Sequence, residues 1–353
     1  MKYSVKIGSV WGIPVELHIT FILLMVAVFA LSYPELYYFV LVMFLFAFVV
    51  VHELSHSIVA KHYGIKVRKI VLYPIGGVSE IEEIPEKPRI EWRMAISGPL
   101  TSFIIGAVLL LMYVIRTGIF PNILSLTLTG DLMLDLASLN LFLGAFNLVP
   151  AFPMDGGRVF RALLAERLKF TDATKYAAFI GRFLAILMAI LGVALYNLGL
   201  IIIGVFIYIG ASEEAEQTIV STTLARVRVK DVLHPEVATV NPETSLTEAM
   251  DVMFKARYHD ALVEKDGSFL GVVTWGEIVK VKPEQRSSLR VEQLPLKRIS
   301  VFPDESVLET YKIMTKEKID LVPVVDKEAP NKIVGVVTYE AVSYAYEKAK
   351  TLR

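Results

Sequence analysis

His52-Glu53-Leu54-Ser55-His56 sets two imidazoles four residues apart, with a carboxylate beside the first. On a helix, positions i and i+4 share a face, so both rings can offer a nitrogen to one ion while Glu53 lies on the adjacent flank. The pattern is the His-Glu-x-x-His zinc signature, in which the carboxylate acts as general base, and its chemistry is metal-assisted hydrolysis. A catalytic zinc takes three protein ligands and keeps one position open. The chain has no cysteine, so the third ligand must be a histidine or a carboxylate. The best-placed candidate is Asp155, in the stretch NLVPAFPMDGGR. Asn147 opens that stretch and could hydrogen-bond a carbonyl or a developing oxyanion.

Each residue has a plainer reading. Three fixed positions recur by accident in soluble sequence. Here, however, they end the apolar run FVLVMFLFAFVVVHELSHSIVA, and ionisable groups inside such a run are costly and default to function. Asp155 would otherwise be a turn residue before Gly156-Gly157, and Asn147 a helix–helix hydrogen bonder. His18 reads as an interfacial or packing residue and His62 as a surface residue. His234 and His259 fall in a different part of the chain.

The elements that position these residues are membrane spans. The 353 residues are 54% hydrophobic, and the bias is confined to roughly the first 211. Apolar stretches fall at about 16–33, 37–60, 94–115, 132–152, 177–194 and 197–211, and a helix needs about 20 such residues to cross. Lys61, Lys66, Arg68, Lys69, Lys87, Arg89 and Arg93 follow the second span, and Arg158, Arg161, Arg167, Lys169 and Lys175 follow the fourth. The opposite loops carry only Arg116. The bias of positive charge puts both termini in the cytoplasm. Spans two and four then end on that side, which brings the histidines and Asp155 to a similar depth. Pro150 and Pro153 break the fourth span, and broken backbone at membrane depth is tolerated where it lines a protein-enclosed or watered cavity. Between spans two and three, GIKVRKIVLYPIGGVSEIEEI reads as strands around a glycine turn. The first 15 residues lack the apolar core of a cleavable signal. Acidic and basic residues balance at 36 each, which gives no sign of nucleic-acid binding.

The soluble remainder contains an internal repeat. Pro242, Ser245 and Met253 align with Pro303, Ser306 and Met314, and Gly271–Thr274 with Gly335–Thr338. Each copy reads as a turn, an amphipathic helix, two apolar strands and a closing helix, and two copies should pack as one unit. The expected organisation is a transmembrane domain over 1–211, a linker over 212–225, and repeats over 226–283 and 284–353.

HELSH at 52–56, YPIGGV at 73–78, SGPL at 97–100 and NLVPAFPMDGGR at 147–158 together resemble the site-2 protease family of intramembrane zinc metalloproteases. IGSVWGIPVELHITF is similar to that family's approach to its first span. The resemblance implies a polytopic α-helical membrane domain with a small membrane-associated β segment. It assigns His52, His56 and Asp155 to one Zn2+, Glu53 to water activation and Asn147 to substrate stabilisation. It also implies transmembrane segments of other proteins as substrates. The tail resembles a pair of CBS domains, a soluble α/β module. Such pairs bind ATP or another adenine nucleotide, with an acidic ribose contact three positions after the GVVT threonine. In the first copy Thr274 and Glu277 stand at these positions, Glu277 as a conservative departure from the family's residue, whereas Ala341 lacks the carboxylate in the second. The alternative for the tail is a structural role in homodimerisation or substrate docking. For the whole chain, the alternatives are a CBS-regulated metal transporter or channel, which would also use broken helices and intramembrane His and Asp, and an inactive scaffold.

Overall fold

In a computed structural model of the protein, which describes residues 3–81, 86–121, 128–234, 238–329 and 332–351, the chain starts with strands. β1 (Ser4–Val10) and β2 (Ile13–His18) pair antiparallel around a turn in which Trp11 and Gly12 have positive φ. Residues 16–18, expected to open the first span, therefore belong to a strand. The burial of Ile13 and Val15 sets a period of two, and His18 ends the strand by accepting the Thr20 N–H at its Nδ1, 3.3 Å away.

The helix α1 (Ile19–Ser32) turns back into α2 (Tyr37–His62), followed by β3 (Val67–Tyr73) and β4 (Gly76–Ile81). The sheet order is β1-β2-β3-β4, with β2 and β3 parallel. A parallel pair needs a crossover, and the α1–α2 hairpin supplies it. Then come α3 (Pro88–Thr117), α4 (Leu132–Asn147), α5 (Asp155–Ala165), α6 (Phe170–Ala194) and α7 (Leu198–Leu224). Among the described residues, α2, α3, α6 and α7 are long and apolar enough to cross a membrane, and α1 and α4 are shorter apolar helices. The chain is a multi-pass membrane protein. Leu23, Val26, Leu111, Phe179 and Ile190 point outward, while α6 and α7 meet through small residues, with Gly181 against Ala211 and Gly204 against Ala185. That distribution suits a lipid-facing surface around close-packed helices.

The fourth apolar stretch stops being helical at Asn147, five residues short of the expected end, because Pro150 and Pro153 cannot continue a helix. The last helix does the opposite. α7 runs on to Leu224 through the stretch expected as a linker, which holds neither Gly nor Pro.

Contacts divide the chain into two compact units, Met1–Glu216 and Gln217–Arg353. In the second, β5 (Thr239–Val240), α8 (Leu246–Ala256), β6 (Asp260–Lys265), β7 (Ser268–Thr274) and α9 (Trp275–Val279) form one repeat. The other comprises α10 (Val307–Glu317), β8 (Leu321–Val325), β9 (Ile333–Thr338) and α11 (Tyr339–Thr351). The repeats exchange their leading segments. Leu224, Val229 and Leu233 pack into the core of the second copy, and Val291 and Leu296 into that of the first. Leu262, Val272, Leu321 and Val336 form the apolar seam between the copies.

Asp260 opens β6 opposite Thr274, where the second copy has Leu321 opposite Thr338. Asp260 is buried and accepts the Asp320 N–H at 2.6 Å. Burial, helped by the nearby Asp320 charge and opposed by backbone N–H donors, raises its carboxyl to about 6. A carboxyl raised by folding binds its proton more tightly in the native state. Its stabilising contribution is therefore complete below about pH 4 and lost as pH rises through about 6. The denaturation midpoint of a fragment spanning 217–353 is expected to fall between pH 5 and pH 7, by about 1 kcal/mol of stability, and Asp260→Asn should flatten that slope.

Candidate metal centre

Two turns of α2 and the first residue of α5 build the site. His52 and His56 are buried on one face of α2, and their Nε2 atoms lie 3.2 and 3.1 Å from the same Asp155 Oδ2. Donors bound tetrahedrally at Zn–N and Zn–O distances of about 2.0–2.2 Å stand about 3.3–3.5 Å apart, so the triad has the spacing of a ligand set. The far side of each ring is also held. His52 Nδ1 is 2.9 Å from Ser102 Oγ, and His56 Nδ1 is 2.7 Å from the Met94 carbonyl, both on α3. A histidine that donates its Nδ1–H to such a partner presents Nε2 as the free lone pair, which is the tautomer a metal needs.

Gly98 supplies the test of fit. A Cβ built on it would lie 2.2 Å from His56 Nε2 and 2.5 Å from His52 Nε2. The space it leaves open is thus within metal-bonding range of both nitrogens, and any side chain would take the ion's place. The three donor atoms and this gap fit zinc.

Asp155 arrives through the local chemistry of MDGGR. The prolines end α4, the chain turns, and α5 starts at Asp155, where unpaired helix N–H groups favour a carboxylate. Gly156 is needed for close approach, since a Cβ there would meet the Val149 carbonyl oxygen at 2.3 Å. Further along α5, Arg161 forms a buried ion pair with Glu91 of α3 and sits 4.9 Å from the rings of both Phe152 and Phe170. Arg158 pairs with Glu214 of α7 at 3.2 Å. Arg158 and Arg161, counted among the loop charges in the sequence, therefore lie within the helical domain, Arg161 fully buried, because carboxylates on α3 and α7 neutralise them. A small cavity of about 20 Å³, lined by His56, Ile81, Glu91, Asp155 and Arg158 among others, separates the triad from these pairs.

Glu53 lies beside the triad, and its Oε2 accepts a 2.6 Å hydrogen bond from Ser79 Oγ of β4. Asn147 closes α4 with its amide donating to the Leu143 carbonyl at 3.0 Å, and among the described residues no hydrogen bond joins it to the three donors. His18 lies against Tyr73 and His62 against Tyr63. In the second unit, the His234 backbone pairs with Val336 and His259 pairs with Asp320. Thr274 caps α9 by accepting the Glu277 N–H at 3.2 Å, and Glu277 takes Lys280 Nζ at 2.5 Å. Thr338 makes the equivalent cap with the Ala341 N–H. Ser79, Gly98, Ser102 and the Glu91–Arg161 pair escape the sequence reading. The motif SGPL and a carboxylate three residues before Met94 were the available signals.

The chain is similar to known proteins along most of its length. Peptidase family M50 matches residues 39–129 and 130–188, and the CBS domain matches 229–284 and 291–348. A zinc metalloprotease of Methanocaldococcus jannaschii is 42% identical over 283 residues, covering 79% of this chain and 80% of that protein. Stage IV sporulation protein FB of Bacillus subtilis is 23% identical over 259 residues, covering 70% and 86%. Among solved structures, the site-2 protease from Methanocaldococcus jannaschii has 45% identity, covers 60% of this chain and 95% of its own, and has a TM-score of 0.46.

If the gap at Gly98 is the metal position, Gly98→Ala should lower the zinc retained after dialysis at least about ten-fold, the scale on which metal sites respond to changes in their surroundings. Elemental analysis of the purified protein checks it.

Proposed function

The chain belongs to peptidase family M50, the site-2 proteases, and is an intramembrane zinc metalloprotease; from that premise we propose a role for each residue of the site and a substrate class. His52, His56 and Asp155 hold the zinc, Glu53 is the general base, and the substrates are transmembrane segments of other membrane proteins. The observation that carries the reading is the convergence of two Nε2 atoms and one carboxylate oxygen at 3.1–3.2 Å, with a second carboxylate beside them.

Bound zinc supplies Lewis acidity, which acidifies water and polarises a carbonyl. The protein's own residues do the rest. Glu53 takes the proton of the attacking water and returns it to the leaving amine, so the peptide C–N bond is replaced by an acid and an amine. Asn147 stabilises the substrate carbonyl, which requires its amide to leave the Leu143 carbonyl. A helical substrate must unwind before its peptide bonds are reachable. The 65–84 segment offers a partner for the unwound strand, because β4 ends the sheet order and pairs only with β3 among the described strands. Residues 82–84 of that segment lie outside the described residues.

Both termini and the CBS pair are read as cytoplasmic, supported by the basic residues after the second apolar stretch and by Arg167, Lys169 and Lys175 after the fourth. The pair is read as a regulator with one adenine-nucleotide site, at Thr274 and Glu277, since the second copy has Ala341 where a carboxylate would be needed. Pairing of two chains through the module belongs to the same reading.

Glu53→Gln should retain zinc and lower cleavage of a co-expressed single-span protein by at least about 100-fold, the scale of a lost general base. A transporter would move metal unchanged. Calorimetric titration of residues 217–353 with ATP should give about one site per chain, abolished by Glu277→Ala, and no heat at millimolar ATP, ADP or AMP would favour the structural role.

A further inference from the structure

The strand β4 lies across the metal centre with one face toward it. Strand alternation puts Gly77, Ser79 and Ile81 on that face. Gly77 packs so tightly on the base that a Cβ there would stand 2.6 Å from Glu53 Cγ. Ile81 lines the small cavity beside His56 and Asp155. Between them, Ser79 Oγ donates to Glu53 Oε2 at 2.6 Å, and the buried Ser57 hydroxyl donates to Ser79 Oγ at 3.3 Å. The donors run one way, Ser57 to Ser79 to Glu53. Ser79 Oγ also lies 3.4 Å from the Glu53 backbone carbonyl, but the carboxylate oxygen at 2.6 Å is the shorter, acceptor-only partner and takes the Ser79 proton.

We propose that Ser79 is a positioning residue for Glu53 and that it makes the orientation of the base depend on the seating of β4. The proposal rests on the protease reading above. A general base works only within hydrogen-bond reach of the proton it takes, and a displacement of about 1 Å can cost about 100-fold. Glu53 has no other side-chain hydrogen bond among the described residues, so one hydroxyl on an edge strand sets where its carboxylate points. A substrate strand that pairs with β4 therefore engages the same element that aims the base, which ties docking to readiness for proton transfer.

The test compares wild type, Ser79→Ala, Ser79→Thr and Glu53→Gln as full-length protein in detergent, with a single-span substrate. Ser79→Ala should lower kcat about 10- to 100-fold with KM and zinc content unchanged, and Ser79→Thr, which keeps the hydroxyl, should recover to within about three-fold. Hydrogen exchange on the zinc-free protein gives a second readout without activity. Ser79→Ala and Glu53→Ala should each speed exchange over Gly76–Ile81, and the double variant should add nothing beyond either single one. A kcat within two-fold of wild type in Ser79→Ala, a loss that threonine does not restore, a change carried by KM or zinc content, or additive exchange effects would each overturn the proposal. Failure of wild type itself to cleave, or cleavage by Glu53→Gln, would overturn the protease reading instead.

Discussion

Everything in the membrane unit is arranged around three polar donors that must meet inside an apolar helix bundle. An isolated carboxylate or a charged ring at that depth would cost several kcal/mol, so the groups persist only if each is paired. Asp155 Oδ2 faces both Nε2 atoms, and each Nδ1 has its own acceptor or hydroxyl partner on α3. This one constraint explains why α3 runs against α2 with a glycine at the contact. It also explains why α4 is broken by prolines just before Asp155, and why α5 is tied to α3 and α7 by Arg161–Glu91 and Arg158–Glu214. Removing one member of the buried Arg161–Glu91 pair would leave an uncompensated charge, so the position of α5, and with it the third donor, is strongly determined.

Much of the centre was legible in the sequence because helix geometry is local. The spacing of His52 and His56 needs nothing beyond a helix to put both rings on one face. Asp155 followed from the depth at which two spans end and from the prolines that stop the fourth. Ser79, Gly98 and Ser102 were not legible in this way. Their roles arise where β4 and α3 pack on α2, and small residues on an apolar helix or a short strand carry no mark of the partner they will meet. Arg161 misled for a related reason. Counted as a charge it belongs in a loop, and only the buried Glu91 makes its interior position tolerable.

The same contrast runs through the rest of the chain. IPVELH alternates for only six residues and merges into an apolar run, so its strand was hidden inside the start of a span. The residues after Ala211 are mostly polar, which reads as a linker, yet they hold neither Gly nor Pro and α7 continues through them. The repeats were visible by alignment, but alignment compares residues and says nothing about which core each segment joins. The exchange of Leu224–Leu233 and Val291–Leu296 between the two cores is a property of packing. It also means that a tail fragment begun at residue 226 would lack Leu224, which is almost fully buried in the core of the second copy.

The central claim is the ligand set, and zinc K-edge X-ray absorption on the purified protein tests it most directly. The account predicts a four-coordinate zinc with two imidazole nitrogens and oxygen donors at about 2.0–2.2 Å, with one imidazole lost in His56→Ala and the oxygen shell altered in Asp155→Asn. A spectrum with three or more imidazoles, or one unchanged by either substitution, would contradict it.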